Sequence, residues 1–176
     1  MSFAPAGLIP MPDAEPASDP SLTAQNLPGL DPSSLRAERL RAAYGYWLGK
    51  GQGRLMPCRS DIDPVEIPAL LPYVMLIDVV ADPLDFRYRL IGTAARNIMR
   101  RDYTGQLFSE IAGKGNGSVL WRGCELVARS KAPISMSPPY IGAEPGLKEC
   151  ENVLLPLSDD RVGVTMILKV ISFKLG

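Results

Sequence analysis

Tyr73-Val74-Met75-Leu76-Ile77-Asp78-Val79-Val80, the turn Asp82-Pro83-Leu84-Asp85, and Phe86-Arg87-Tyr88-Arg89-Leu90-Ile91-Gly92 form the stretch whose reading decides the fold. Its first part is apolar and rich in β-branched residues. Its last part alternates Phe86, Tyr88 and Leu90 with Arg87 and Arg89. Such runs, separated by Asp-Pro turn chemistry, are two strands of a hairpin. Pairing Val79 with Phe86, Ile77 with Tyr88 and Met75 with Leu90 puts all of them on one face. The same register sets Asp78 opposite Arg87, an expected cross-strand ion pair.

After the hairpin the pattern becomes helical. Residues 94–101 read as a short helix and 104–111 as a turn with a second short one. Gly113, Gly115 and Gly117 make a loop. Asn116 or Ser118 then caps a helix through Ser130, with Leu120, Trp121, Cys124, Val127 and Ala128 as its apolar stripe. Three further strands are expected at 133–141, 148–157 and 162–173. In the last, Val162, Val164, Met166, Leu168 and Val170 should face the core, and Gly163, Thr165, Ile167 and Lys169 should face away. Two strands, helices, then three strands is an α+β arrangement, with the helices between the strand runs on one face of the sheet.

Before the hairpin, residues 1–31 hold six prolines, from Pro5 to Pro28, and no basic residue. With Asp13, Glu15 and Asp19 they read as a disordered acidic tail. Asp31-Pro32 is a helix start, and a helix is expected over 32–48. Its stripe of Leu40, Tyr44, Trp47 and Leu48 must cover either the domain's own sheet or the same helix of a second subunit. The interface is assigned to Leu40, Tyr44 and Trp47. The helix and a linker occupy 32–56, and the main domain 57–176. Within it, Asp63-Pro64-Val65-Glu66 has the spacing of a capping box.

Composition narrows the function. The 176 residues carry 19 Lys+Arg against 19 Asp+Glu, so no net charge draws the chain to nucleic acid or acidic lipid. No histidine is present, which excludes a Ser-His-Asp triad, a Cys-His pair and His-ligated zinc or haem. Cys58, Cys124 and Cys150 form no Cys-x-x-Cys pair, and no metal site is expected. The odd thiol count and the lack of a signal sequence point to a cytoplasmic protein, and the longest apolar run is too short to span a membrane. The Gly113-Lys114-Gly115 loop fails as a phosphate loop. Phe108 stands where the first glycine belongs, and Gly115 where Ser or Thr should follow the lysine.

The chain resembles PAS sensor domains, in particular a bacterial subfamily of short stand-alone PAS proteins. The resemblance rests on residues 59–68 (Arg-Ser-Asp-Ile-Asp-Pro-Val-Glu-Ile-Pro), Leu70-Leu71-Pro72, Leu76-Ile77-Asp78-Val79 and Phe86 through Thr93. It continues with Arg101-Asp102-Tyr103-Thr104-Gly105 and Leu155-Pro156-Leu157-Ser158-Asp159-Asp160, and spans roughly residues 35–172. The resemblance implies a five-stranded antiparallel sheet of order 2-1-5-4-3. It also implies small-molecule binding between sheet and helices, or a dimerisation and signalling role. A flavin photosensor of this family has Asn-Cys-Arg, whereas Cys58 lies in Pro-Cys-Arg and Cys124 in Gly-Cys-Glu.

The expected ligand-lining residues are Tyr88, Leu90, Ile98, Trp121, Cys124, Glu151, Val153 and Met166. Glu151 reaches the core face if a two-residue turn at Asp159-Asp160 pairs Val153 with Met166. A one-residue slip buries Asn152 instead. Arg96 and Arg100 share a helix face that could hold an anion. The reading is a non-catalytic sensory protein that signals as a homodimer or through a partner protein, with no nucleic acid, no membrane and no cofactor named. Its rivals are a ligand-free interaction adaptor and, last, a small enzyme using Glu151 with Tyr88 as acid.

Overall fold

Helix α1 spans Glu38–Lys50. It begins six residues later than the Asp31-Pro32 signal predicts. Asp31 does accept from the Ser33 N–H, at 2.8 Å, but it caps a single 3-10 turn, Pro32–Ser34. The chain then runs extended through Leu35 and Ala37, because Leu35 is fully buried and the next two N–H groups are held by a carboxylate on the sheet. This computed structural model describes residues 30–138 and 146–175. The acidic tail expected over 1–31 lies outside them, apart from Leu30 and Asp31.

Five antiparallel strands follow: β1 Val74–Val80, β2 Asp85–Ile91, β3 Ile134–Met136, β4 Leu147–Leu157 and β5 Met166–Leu175. Their order is β2-β1-β5-β4-β3, as the resemblance implies. Between β2 and β3 lie α2 (Thr93–Met99) and α3 (Val119–Ser130), the latter capped by Ser118 Oγ, which accepts from the Trp121 N–H at 3.1 Å. Pro138 cannot donate to a ladder and helps confine β3 to three residues. Residues 139–141 of the expected strand are outside the described set.

Both faces of the sheet are covered. The inner face meets α2 and α3 in a cluster including Met75, Ile77, Phe86, Tyr88, Trp121, Cys124, Leu154 and Ile167. The outer face meets α1 in a second cluster including Leu40, Tyr44, Trp47, Val153, Leu155, Met166, Leu168 and Val170. A central strand buried on both sides has no solvated face. In β5, therefore, Met166, Leu168 and Val170 lie in the outer core, while Ile167 and Ile171 lie in the inner one. Val162, expected in the core, is exposed ahead of the strand.

The hairpin register holds at Val79–Phe86, Asp78–Arg87 and Ile77–Tyr88, then shifts. Arg89 is an extra residue on β2, so Leu76 faces Leu90, and Met75 pairs with Ile91 rather than Leu90. Ile91 takes the core place, and Leu90 is exposed. The bulge also alters the ion pair: Arg89, not Arg87, places its Nε 3.0 and 3.2 Å from the Asp78 carboxylate.

Where β2 turns into α2 the chain passes close to the segment entering β1. A Cβ at Gly92 would run into the carbonyl oxygens of Leu71 and Pro72. Gly92 N–H donates to the Val74 carbonyl at 2.7 Å, which locks this crossing.

The β4–β5 connection is an eight-residue loop, not a two-residue turn: Leu157 pairs with Met166 and Val153 with Val170. Asp160 Oδ1 builds it by accepting from the N–H groups of Val162 and Gly163 at 2.8 and 2.9 Å and from Ser158 Oγ at 3.0 Å. The shift from the expected register is four residues. An even shift preserves which side chains share a face.

Candidate functional site

The inner face is organised around aromatic rings. Phe86 meets Trp121 edge-on at 5.2 Å between centroids, and Tyr88 lies 4.7 Å from Phe108 and 6.4 Å from Tyr103. Tyr88 and Cys124 are buried within this cluster, and burial pushes the Cys124 thiol up to about 12. Burial also raises the Tyr88 phenol, with smaller contributions from Cys124 and Tyr103. Neither group is poised to ionise at neutral pH.

At the centre of that face is a lysine. Lys169 on β5 pairs with Met75 on one side and Leu154 on the other, two inner-core residues. It is 8% exposed and makes no hydrogen bond or ion pair with any carboxylate among the described residues. Burial lowers its ammonium from the ordinary value, while the thiols of Cys124 and Cys150 act the other way. Asn152 lies on the same face of β4, between Cys150 and Leu154, and is 3% exposed. Its Oδ1 is buried without a hydrogen-bond partner.

Lys114 comes from the glycine loop before α3. Its Nζ lies 6.0 Å from the Tyr88 ring centroid and 5.8 Å from that of Tyr103. Burial and then the charge of Lys169 lower it to about 8. Two amines thus share the inner face with an unpartnered amide oxygen.

A family model for the PAS domain matches residues 35–171. The chain belongs to the PAS domain family. No curated protein and no solved structure matches it. In this PAS domain no described helix is long and apolar enough to cross a membrane, and no group of metal-ligating side chains stands together among the described residues.

The expected ligand set divides between layers of the PAS domain. Tyr88, Trp121 and Cys124 come together on the inner face. Val153 and Met166 lie on the opposite side of the sheet, in the core beneath α1. Glu151 is on that outer side too. Its carboxylate accepts from the backbone N–H groups of Arg36 and Ala37, both at 3.1 Å, so it anchors the approach to α1. Glu151 and Tyr88 therefore cannot act as a catalytic pair. Leu90 is exposed, and Ile98 is half-buried while Ala95 and Met99 pack into the inner cluster from α2.

The interface residues are likewise reassigned. Leu40, Tyr44 and Trp47 are buried against the chain's own sheet. Trp47 Nε1 donates to the Pro156 carbonyl of β4 at 2.8 Å, and Tyr44 stacks on Trp47 at 6.0 Å. Of the two destinations the stripe allowed, the domain's own sheet is the one occupied. At the other end of α1, Lys50 and the Tyr46 hydroxyl meet Glu66, so Glu66 ties α1 down instead of closing a capping box with Asp63. Asp63 Oδ1 does cap its turn, accepting from the Val65 N–H at 2.9 Å.

Lys169, Asn152 and Lys114 escaped sequence reasoning for different reasons. Alternation put Lys169 on a face assumed to be solvated. Asn152 was an alternative to Glu151, whereas both are buried, on opposite faces. Lys114 read as part of a connector. The available signal was a lysine inside Met166-Ile167-Leu168-Lys169-Val170-Ile171, an otherwise unbroken apolar run.

Proposed function

We propose that this PAS domain is a cytoplasmic sensory module that takes a small ligand against the inner face of its sheet and relays occupancy to α1 on the outer face. The observation that carries this reading is the buried Asn152 Oδ1, which has no hydrogen-bond partner, on the same face of the sheet as Lys169, which is 8% exposed and pairs with no carboxylate among the described residues. Leaving such groups without partners in a protein interior is costly. A ligand that satisfied them would be held at the middle of the sheet.

The relay is short. The residues flanking Lys169, Leu168 and Val170, are in the core beneath α1. Asn152 is flanked by Glu151, which holds the approach to α1, and by Val153 in that core. A ligand with different affinity for two strand positions shifts the docking of α1 by that difference and no more. The output then passes through α1 to a second copy of the chain or to another protein, which meets its outward side near Leu48. Three free cysteines suit a reducing compartment. We infer binding and regulation, not catalysis.

One observation favours the adaptor reading. Two open depressions of about 500 Å³ lie on the protein, one around Ser109–Ser118 and one at Arg96–Asp102, and neither is enclosed between sheet and helices. Native mass spectrometry of the purified full chain separates the two readings. A small-molecule mass released on denaturation, and absent from Lys169→Met protein, supports the sensor. Bare protein that binds nothing and captures a partner through α1 supports the adaptor.

A further inference from the structure

We propose that Lys169, Lys114 and Asn152 form a carboxylate site, and that the molecule sensed is a small organic acid that also carries a hydroxyl or N–H donor. This deepens the sensor reading and rests on it.

The argument starts from complementarity. Lys169 is more than nine-tenths buried and has no acidic partner among the described residues. The charged groups that reach it are another amine, Lys114, and the thiols of Cys124 and Cys150. Burial holds both thiols in the neutral form. Among the described residues, then, the inner face offers two amines and no carboxylate that pairs with them, which is the condition an incoming anion relieves. A neutral apolar ligand would leave the amines as they are.

Asn152 adds the second requirement. Its amide nitrogen faces the Cys150 sulfur at 3.8 Å, and its buried oxygen has no donor. An oxygen acceptor diagonal to Lys169 on the same face of the β4–β5 ladder suits a ligand with both an anionic end and a hydrogen-bond donor. A bare halide meets only the first requirement. A hydroxy acid or amino acid meets both.

The surroundings can yield. Met75 faces Lys169 across the β1–β5 ladder, and Met136 faces Asn152 across the β3–β4 ladder. Methionine side chains repack around a ligand at low cost. Lys114 is carried on a loop where Gly113 and Gly117 adopt φ of +74° and +86°, and the Ser109–Ser118 depression lies along that loop. Movement of the loop opens a path from solvent to the amines.

The test uses the full chain, its Lys169→Met, Lys114→Met and Asn152→Leu variants, and Lys174→Met as a surface control on the same strand. Thermal melts are run with potassium lactate, succinate and 4-hydroxybenzoate, each against potassium chloride at equal ionic strength. A saturating carboxylate should raise the wild-type midpoint by about 3–6 °C over chloride. Lys174→Met should keep that rise, Lys169→Met should lose it, and Lys114→Met should need at least about tenfold more acid to reach it. At equal sub-saturating concentration lactate, which carries a hydroxyl donor, should raise the wild-type midpoint more than succinate, which carries none, and should lose that advantage in Asn152→Leu. If Lys169→Met fails to fold, the Lys114→Met comparison decides. Equal rises in wild type, Lys169→Met and Lys114→Met overturn the site. So does an uncharged co-purified ligand whose retention is independent of both lysines, although the sensor reading then survives. No response to any acid together with no released mass overturns both.

Discussion

Lys169 and Val170 are neighbours on β5 and belong to different cores. The Lys169 side chain is buried on the inner face opposite Met75 and Leu154, whereas Val170 packs with the α1 residues on the outer face. One residue of strand separates a buried amine from the helix proposed to carry the output. A β-strand turns successive side chains to opposite faces, so a shift of the backbone at 169 is felt in both layers. The predictions below follow from that two-layer arrangement.

Glu151→Ala should loosen α1 without unfolding the sheet. The carboxylate accepts two backbone N–H groups from a buried position. Hydrogen bonds to a charged group contribute about 1.5–3 kcal/mol each, so losing both should cost about 3 kcal/mol after partial rescue by water. Glu151→Gln keeps one acceptor and should cost about half as much. Urea unfolding measures the loss. Hydrogen exchange should place the increased opening in residues 36–44.

Trp47→Ala should be a folding variant before it is an assembly variant. The indole is buried within the chain and donates to Pro156. Truncating a buried Trp costs about 3–5 kcal/mol. A loss of that size in denaturant, independent of protein concentration, is the expected outcome. A concentration-dependent loss would instead place the stripe between subunits.

Gly92→Ala should destabilise the chain by about 1–3 kcal/mol, the usual range for overpacking. The atoms its methyl would strike are the backbone oxygens of Leu71 and Pro72, which cannot rotate away. Thermal melting of the purified variant checks this. A Gly123→Ala variant should be milder, because the obstacle there is the flexible side chain of Met136.

The lysines predict an alkaline gain in stability. Lys114 ionises at about 8 in the folded chain against an ordinary 10.5, because it is buried and lies near Lys169. A lowered lysine value means the unfolded chain binds more protons between those limits, so stability rises with pH. The contribution is present above 10.5 and lost as pH falls through about 8. Cys124 has the opposite sign: its value is raised from 9.0 to about 12, so its contribution is present below 9.0 and lost as pH rises toward 12. Lys114→Met should therefore be favoured over wild type at pH 7 by a margin that shrinks toward pH 9, before Cys124 intervenes. Urea unfolding of both proteins across that range is the measurement.

Much of the fold was legible because it rests on local pattern. The turn at Asp82–Asp85 and the alternation after it place β1 and β2 and most of their register. The misplacement of Leu90 traces to one extra residue, Arg89, which no periodicity announces. Ser118 and the stripe from Trp121 to Val127 give α3 almost to the residue. The site was harder to read. Alternation tells which residues share a face, but not what covers it. Glu151, Val153 and Met166 do share a face, and it is the one beneath α1. Asp160 gathers three donors into a loop of eight residues, a tertiary outcome that a two-residue turn rule misses.

The central claim is that the inner face speaks to α1 through the strands, and hydrogen–deuterium exchange on the full chain tests it most directly. Wild type is compared with Lys169→Met, and with Lys174→Met as a same-strand exposed control. The account predicts that Lys169→Met changes protection of the α1 amides, and of Arg36 and Ala37, by about tenfold relative to β1, and that Lys174→Met leaves them unchanged. Unaltered α1 protection in Lys169→Met, with changes confined to α3 and the inner face, would contradict it.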